Sequence, residues 1–302
     1  LCQRGKQLLY EYCPERNIGH NRCGKLLVAN DDQQVIRLRK QLERAKSNGL
    51  LDLRPLDAAE VRELEPELIF KEVVLSPSSG IVDQHDLMTA LLGDAENSGT
   101  QLVLNSPVIG GVITDRGIQI DVGGKDPISV HCKVCVNAAG HNATEVSKSI
   151  FGLNAESVPN VIFAKGNYFV LTSKKPFRRL IYPVPDENGL SIHVSPDMSG
   201  AIRFGPDTEF TSTIDYMVDP NRVGPFYEGI RKFWPALQDG DLEPGYAGIR
   251  PKLSEARATN LDFLIQGPQT HGIPGLICLY GLESPGLTSS MAIGEYIREM
   301  LV

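Results

Sequence analysis

Apolar residues recur with two different periods along the first half of the chain. Apolar positions three and four residues apart predict helices over about 1–13, 31–48, 56–65 and 83–97. Short runs of apolar residues bounded by turn residues predict strands over 101–105, 130–137 and 24–29. Two further strands, 108–113 and 117–122, are separated by Thr114 to Arg116 and predict a hairpin.

The pattern changes after about residue 158. From there to about 248 the chain has short strands between loops rich in Pro and Gly, and the last fifty residues return to an apolar strand followed by a helix. This order predicts an α/β (α+β) fold with two domains built from separated segments. We expect residues 1–23, 81–157 and 249–302 to form one domain, and residues 24–80 and 158–248 to form an inserted, mostly antiparallel β-sheet domain.

Composition excludes several partners. The net charge of -7 disfavours nucleic acid and anionic lipid, which select for clustered Lys and Arg. Six cysteines in 302 residues are too few for a disulfide framework and favour a reducing compartment. No apolar run approaches the ~18–20 residues of a membrane span, so we expect no integral membrane segment. Because the sequence opens at Leu1 inside an amphipathic helix, we expect further sequence upstream, including any targeting segment.

Common binding motifs are absent or incomplete. Residues 19–25 (GHNRCGK) match GxxxxGK, but Leu26 stands where a phosphate loop needs Ser or Thr, and a predicted strand follows. Cys132 and Cys135 form CKVC without a second pair, so we expect structural cysteines and no metal. No two glycines have the spacing Gly-x-Gly, so the dinucleotide fingerprint GxGxxG is missing.

An ordered set of segments nevertheless resembles one enzyme family. TQLVLNSPVIGGV, VCVNAAG and LYGLESPGLTSSMAIGEYI resemble the FAD-dependent oxidoreductases of the D-amino-acid-oxidase-like family. GKLLVA, GIVDQHDL, AKGNYF, IYPVPD, AGIRPKL and YGLESPGLTSS, in that order, are most similar to its L-2-hydroxyglutarate dehydrogenase or oxidase branch. The resemblance implies that the first domain is an incomplete FAD-binding Rossmann-like domain, lacking the N-terminal glycine-rich loop, and that the inserted domain binds substrate.

The resemblance also assigns cofactor-binding residues. It implies that Val108 offers backbone groups to the adenine and that Ala139 and Gly140 close over the adenosine-pyrophosphate side. The other cofactor-binding residues that it implies lie between the C-terminal strand and the first turn of the helix that follows it: Gly281, Gly286, Leu287, Thr288 and Ser289. A helix start there presents unpaired N–H groups and partial positive charge to the flavin. An ordinary helix capped by Thr288 or Ser289 is the alternative interpretation.

Four residues are candidates for binding and converting the substrate. Arg250 in AGIRPKL matches the family arginine expected to bind an α-carboxylate, although a surface ion pair is the alternative. Lys165 and Tyr182 could face the same cavity, and a dicarboxylate requires a second cation, for which Lys165 is the candidate. His193 is the candidate base for the hydroxyl proton, against the alternative of a core histidine.

The implied reaction is hydride transfer from an L-2-hydroxy acid, most specifically L-2-hydroxyglutarate, to flavin N5, which gives 2-oxoglutarate. The sequence does not distinguish oxygen, a quinone or a carrier protein as electron acceptor. An amino-acid or glycine oxidase and a non-catalytic fragment unable to hold FAD stay open as alternatives. The expected compartment is the cytoplasm, or the mitochondrion in a eukaryote.

Overall fold

The computed structural model describes residues 1–173, 175–186, 191–254 and 262–301. The α-helices are α1 (Cys2–Glu15), α2 (Asp32–Ser47), α3 (Ala58–Leu64), α4 (Gln84–Asn97), α5 (Ala143–Lys148), α6 (Val223–Arg231), α7 (Pro268–His271) and α8 (Gly286–Leu301). Strands of the first half are β1 (His20–Asn21), β2 (Lys25–Ala29), β3 (Arg54–Leu56), β4 (Glu72–Ser76), β5 (Ile81–Val82), β6 (Val108–Thr114), β7 (Gly117–Val122), β8 (Ile128–Cys132) and β9 (Cys135–Asn137). Strands of the second half are β10 (Ile150–Phe151), β11 (Val161–Leu171), β12 (Leu180–Pro183), β13 (Val194–Pro196), β14 (Ile202–Phe204), β15 (Glu209–Thr211), β16 (Leu242–Leu253), β17 (Leu264–Gln266) and β18 (Leu276–Tyr280).

One large, mostly antiparallel sheet dominates the structure. Its strands follow the order β15-β11-β14-β13-β12-β2-β4-β3, and β16 pairs with β11. Side chains alternate between the faces of a strand. In β12 and β13 this places Ile181 and Val194 in a core that also contains Phe226 and Trp234, all fully buried. The opposite face is left for the polar and aromatic side chains of the same strands.

A smaller sheet carries the C-terminal strand and helix. The order is β17-β18-β9, with β18 parallel to β9 and every residue of β18 buried. A fully buried, near-continuous apolar strand is typical of a parallel sheet covered on both sides. The chain leaves β18 through residues 281–285 and enters α8 at Gly286.

Helix α1 packs tightly against α8. A Cβ added at Gly5 would overlap the carbonyl oxygen of Thr288 and come within 2.9 Å of Ser289 Cα. Only glycine permits this approach of the two helix backbones, and Arg4 adds an ion pair with Glu295 at 2.8 Å. The first helix of the chain therefore supports the first turn of the last one.

Most elements follow the sequence pattern. The mixed α/β class, the hairpin of β6 and β7, and helices at α1, α2, α3 and α4 are confirmed. The strand predicted over 101–105 is wrong, because the segment is a loop whose Leu102, Val103 and Leu104 are 54%, 67% and 70% exposed. The single strand predicted over 130–137 is divided into β8 and β9, which belong to different sheets. The residue bounds of the two domains stay a prediction.

Candidate active site

The polar face of the large sheet places Arg250 beside two tyrosines. Arg250 on β16 pairs with Ala164 on β11, and directly opposed residues project from the same face. Alternation brings Tyr168 and Tyr246 to this face, where their rings stack with centroids 4.5 Å apart. Burial, then the neighbouring Tyr246, raise the pKa of Tyr168 to about 12, so its hydroxyl stays protonated near neutrality.

His193 lies against Tyr182 on the same face. Their rings are nearly parallel, 7° apart, with centroids separated by 3.8 Å. The ammonium of Lys25 lies over the ring of Tyr182, with Nζ 4.8 Å from the ring centroid. Lys25 reaches this position because β2 pairs in parallel with β12, which places it across from Leu180, two residues before Tyr182. The stacking restricts the orientation of the imidazole plane.

The imidazole is neutral at physiological pH. Burial, together with the positive charges of Lys25 and Arg250, lowers the pKa of His193 to about 4. A neutral imidazole has a free lone pair, so it can accept a proton. The charges of Lys25 on β2 and Arg250 on β16 both act on His193, which directly precedes β13. Strands β2, β13 and β16 therefore border a common site.

Arg250 has no anionic partner among the residues that the structure describes. Within that part of the chain, the ion pairs within 4.0 Å and the side-chain hydrogen bonds do not include its guanidinium. Its neighbour Lys252 is paired, with Nζ 2.6 Å from Glu283 Oε1. A half-buried guanidinium without a carboxylate is suited to bind an anionic ligand through its planar fork.

Lys165 lies on the other face of the sheet. It pairs with Ile249, the residue before Arg250, and successive residues of a strand project from opposite faces. Its ammonium already has partners there, because Nζ donates to Met217 O at 2.5 Å and lies 3.5 Å from Asp215 Oδ2. Substrate binding by Lys165 stays a prediction, and this geometry does not support it.

A large cavity separates the sheet from the start of α8. It has a volume of about 1320 Å³ and is lined by Lys25 and Tyr182 of the sheet, by residues of α1, and by Gly286, Leu287 and Thr288 of α8. The N–H groups of a first helical turn have no partner within the helix. In α8 the Gly286 N–H donates to Glu283 O, which leaves those of Leu287 and Thr288 for a ligand.

The glycines around this helix start have different roles. A Cβ at Gly286 would meet nothing within 4 Å, so its backbone is open to the cavity. Gly281 has a φ of +65° and its Cβ would come within 2.7 Å of Leu253. Packing and backbone conformation therefore explain Gly281. Ser289 is fully buried, its Oγ has no partner among the described residues, and it does not line the large cavity.

The turn after β9 is held by one buried asparagine. Asn137 Nδ2 donates to Ala143 O at 2.7 Å and to Ser147 Oγ at 2.8 Å, and its Oδ1 accepts from the Ala139 N–H at 3.2 Å. Gly140 follows with a φ of +57° and open space at its Cβ position. The turn is thus exposed and ordered, as close backbone contact with a ligand requires. Val108 is 39% exposed and lies outside the cavity lining.

The residues present fit a flavin dinucleotide. The cavity exceeds the roughly 300–1,000 Å³ of ordinary small-molecule pockets, as an elongated cofactor needs. Helix N-termini favour anionic groups, and the open Leu287 and Thr288 N–H groups can donate to the oxygen and nitrogen edge of a flavin.

Comparison with known proteins decides the family. Residues 1–300 match the family described as FAD dependent oxidoreductase. The chain belongs to this family of FAD-dependent oxidoreductases. It is 38% identical over 337 residues to the mitochondrial L-2-hydroxyglutarate dehydrogenase of Arabidopsis thaliana, covering 98% of this chain and 70% of that protein. Its L-2-hydroxyglutarate dehydrogenase relatives include one from Salmonella houtenae, 26% identical, with 98% and 77% covered.

Solved structures confirm the fold. The L-alpha-glycerophosphate oxidase of Mycoplasma pneumoniae with FAD bound gives a TM-score of 0.83 at 22% identity, with 98% of this chain and 77% of that chain covered. The glycine oxidase of Geobacillus kaustophilus gives 0.80 at 20% identity, with 99% and 77% covered. The protein is an FAD-dependent oxidoreductase homologous to L-2-hydroxyglutarate dehydrogenases. None of its described helices has the length and apolar character that crossing a membrane requires.

Sequence reasoning missed three residues of the site, namely Lys25, Tyr168 and Tyr246. Tyr246 lies four residues before Arg250 in the same strand, so alternation alone would have placed both on one face. Lys25 and Tyr168 stand in mostly apolar segments that do not mark a face. The pairing of β2 with β12 lies 155 residues apart along the chain, between Lys25 and Leu180, and no local pattern reveals it.

Proposed function

We propose that this FAD-dependent oxidoreductase oxidises L-2-hydroxyglutarate to 2-oxoglutarate. The observation that carries the proposal is the Arg250 guanidinium, which has no anionic partner among the described residues and whose charge acts on the neutral imidazole of His193. His193 stacks on Tyr182, which lines the cavity. The relatives named L-2-hydroxyglutarate dehydrogenase support this substrate.

Arg250 binds the α-carboxylate of the substrate through two parallel N–H donors. This contact orients the α-carbon, because a bidentate fork fixes the plane of the carboxylate as well as its position. The stacked pair of Tyr168 and Tyr246 lies beside the guanidinium and borders the position proposed for the carboxylate.

His193 accepts the hydroxyl proton as the C–H bond of the α-carbon breaks. Its lowered pKa keeps the imidazole neutral before substrate binds. The two carboxylates of a bound substrate offset the positive charges of Lys25 and Arg250, so the pKa of His193 rises in the complex. The histidine thereby becomes a better proton acceptor when substrate is present.

FAD, when bound, supplies the acceptor for the hydride. We propose that Leu287 and Thr288 donate backbone N–H groups to the flavin, that Gly286 leaves it room, and that Ala139, Gly140 and Val108 lie on its adenosine side. The physical support for the first two is the open first turn of α8.

We propose that the compartment follows the organism. Named relatives include mitochondrial L-2-hydroxyglutarate dehydrogenases from Arabidopsis thaliana and Homo sapiens and one from the bacterium Salmonella houtenae. The protein accordingly works in the mitochondrion of a eukaryote or the cytoplasm of a bacterium. Subcellular imaging of the tagged native protein in its source organism tests this placement.

A substrate panel tests the reaction. The FAD-loaded protein is assayed with an artificial electron acceptor and L-2-hydroxyglutarate, D-2-hydroxyglutarate, glycine or L-glutamate, and product is identified as 2-oxo acid. We expect turnover with the L-hydroxy acid alone. Turnover of glycine or L-glutamate instead would establish an amino-acid oxidase, and FAD binding without turnover of any of them would contradict the proposal.

A further inference from the structure

A second cation faces the site from β2. Lys25 shares the polar face of the large sheet with Tyr182, and its Nζ lies 4.8 Å from the centroid of that ring. The other side of the site carries Arg250, and the charges of both cations act on His193. Lys25 also lines the large cavity together with the first turn of α8. Lys25 therefore lies between the cavity proposed to hold the cofactor and the residues proposed to bind the substrate.

The ammonium of Lys25 has no anionic partner in the described part of the chain. The ion pairs within 4.0 Å and the side-chain hydrogen bonds of residues 1–173, 175–186, 191–254 and 262–301 do not include it. Burial lowers the pKa of Lys25; the neighbouring Cys2 opposes this shift, and Lys6 acts in the same direction as burial. A desolvated ammonium without a carboxylate has an unfavourable electrostatic energy, which a bound anion relieves.

Other cations near the site are already engaged. Lys6 Nζ donates to Ser78 Oγ at 2.5 Å, and Lys252 Nζ lies 2.6 Å from Glu283 Oε1. Arg203, whose guanidinium lies over the Tyr246 ring, pairs with Asp197 at 3.1 Å. Each of these three side chains would have to give up a hydrogen bond or an ion pair to bind an anion. Lys25 has neither with a described residue.

We propose that Lys25 binds the distal carboxylate of a dicarboxylic 2-hydroxy acid whose α-carboxylate is held by Arg250. The inference rests on the proposed function and deepens it, because it names the residue that selects dicarboxylates. The division of roles follows from side-chain chemistry. A rigid bidentate fork suits the carboxylate beside the reacting carbon, and a flexible ammonium suits the end of the substrate that only needs a point charge.

The test compares acids of one and two carboxylates. Wild type, Lys25→Gln, Lys25→Arg and the control Lys40→Gln are loaded with FAD and assayed with L-2-hydroxyglutarate and L-2-hydroxybutyrate. Lys40 is an exposed residue of α2 and gives the same change in charge away from the site. Binding of 2-oxoglutarate and 2-oxobutyrate to the same proteins is measured by calorimetry, which does not depend on turnover. Circular dichroism and FAD fluorescence check folding and cofactor content.

We expect Lys25→Gln to raise KM for L-2-hydroxyglutarate and Kd for 2-oxoglutarate on the order of 10- to 100-fold, as loss of a charge-assisted contact predicts. The values for the monocarboxylates should change less than about threefold, since those ligands lack the group that the contact serves. Lys25→Arg, which keeps the charge, should recover most of the preference, and Lys40→Gln should match wild type.

An equal loss for both acid classes, or reduced FAD content, would overturn the assignment, because Lys25 would then serve the cofactor or the fold. If Lys25→Gln fails to fold, Lys25→Met is assayed in its place; a lost preference for the dicarboxylate supports the contact, and an unchanged preference contradicts it. Wild type that turns over neither acid would refute the proposed function. Wild type active on L-2-hydroxyglutarate with an unaltered Lys25→Gln protein would refute the Lys25 assignment alone.

Discussion

Replacing His193 with Gln should make the folded protein less sensitive to acid. The pKa of His193 is about 4 in the folded state, against an ordinary 6.5 for an exposed histidine. As pH falls through 6.5 the unfolded chain binds the proton first, while the folded protein resists it until about pH 4. The free energy of unfolding therefore decreases as pH falls from 6.5 to 4. Above pH 6.5 the neutral His193 causes no loss of stability.

The size of the effect follows from the two pKa values. A pKa of about 4 against 6.5 corresponds to roughly 3 kcal/mol at low pH, and to about 2 kcal/mol already at pH 5. These are upper figures, since His193 keeps some contact with solvent. Glutamine has no titratable group, so the variant should lack the loss of unfolding free energy that His193 causes at low pH. All other residues should titrate as in wild type.

Urea unfolding at pH 7 and pH 5 measures the difference. Tryptophan fluorescence reports on the large sheet, because the single tryptophan, Trp234, is buried in its core. We expect the drop in unfolding free energy from pH 7 to pH 5 to be smaller in His193→Gln by up to about 2 kcal/mol. Histidine NMR on wild type, with the resonance assigned by its loss in the variant, gives the folded pKa directly.

Equal pH dependence in the two proteins would refute the reasoning, as would an NMR pKa near 6.5. Either result would mean that burial and the two neighbouring cations do not lower the pKa of His193. The imidazole would then not be held neutral by its surroundings. A folded pKa above 6.5 would point to an acidic partner for His193 that contradicts the contacts described above.

Three further changes test other parts of the site. Arg250→Lys should lower kcat/KM for L-2-hydroxyglutarate about 10- to 100-fold in steady-state assays, because an ammonium cannot form the bidentate contact. Gly5→Ala should lower the unfolding free energy by about 1–3 kcal/mol and weaken FAD binding, since its Cβ overlaps Thr288 O. Gly93→Ala on α4, where a Cβ meets nothing within 4 Å, is its control and should stabilise by up to about 1 kcal/mol. Asn137→Ala should cost about 1–3 kcal/mol in a urea titration and raise Kd for FAD, because it releases the turn before Gly140.

Local patterns predicted the elements better than their partners. The helix starts at Asp31, Asp57 and Asp83 were predictable because these side chains accept hydrogen bonds from the first helical turn in each case. The strand predicted over 101–105 is wrong because an apolar run forms a strand only where a neighbouring strand pairs with it. Nothing in the local sequence carries that information.

The site shows the same division. Arg250 was identified from the resemblance, and Tyr182 and His193 from the chemistry that the reaction needs; the structure brings the three together on one face. Substrate binding by Lys165 stays a prediction that the geometry does not support, because Lys165 pairs with Ile249 in a register that a sequence does not reveal. A shift of one residue in that register would exchange the faces of Lys165 and Ala164. Lys25, from a strand near the start of the chain, is the cation that the structure places on the face of His193 and Tyr182.

Anaerobic mixing of the FAD-loaded protein with L-2-hydroxyglutarate measures the proposed hydride transfer itself. We expect the yellow absorbance of the flavin to bleach with the L-enantiomer and not with the D-enantiomer, and one equivalent of 2-oxoglutarate to form for each flavin. The Arg250→Lys protein should bleach more slowly. Flavin that is bound and stays oxidised with the L-enantiomer would contradict the proposed reaction.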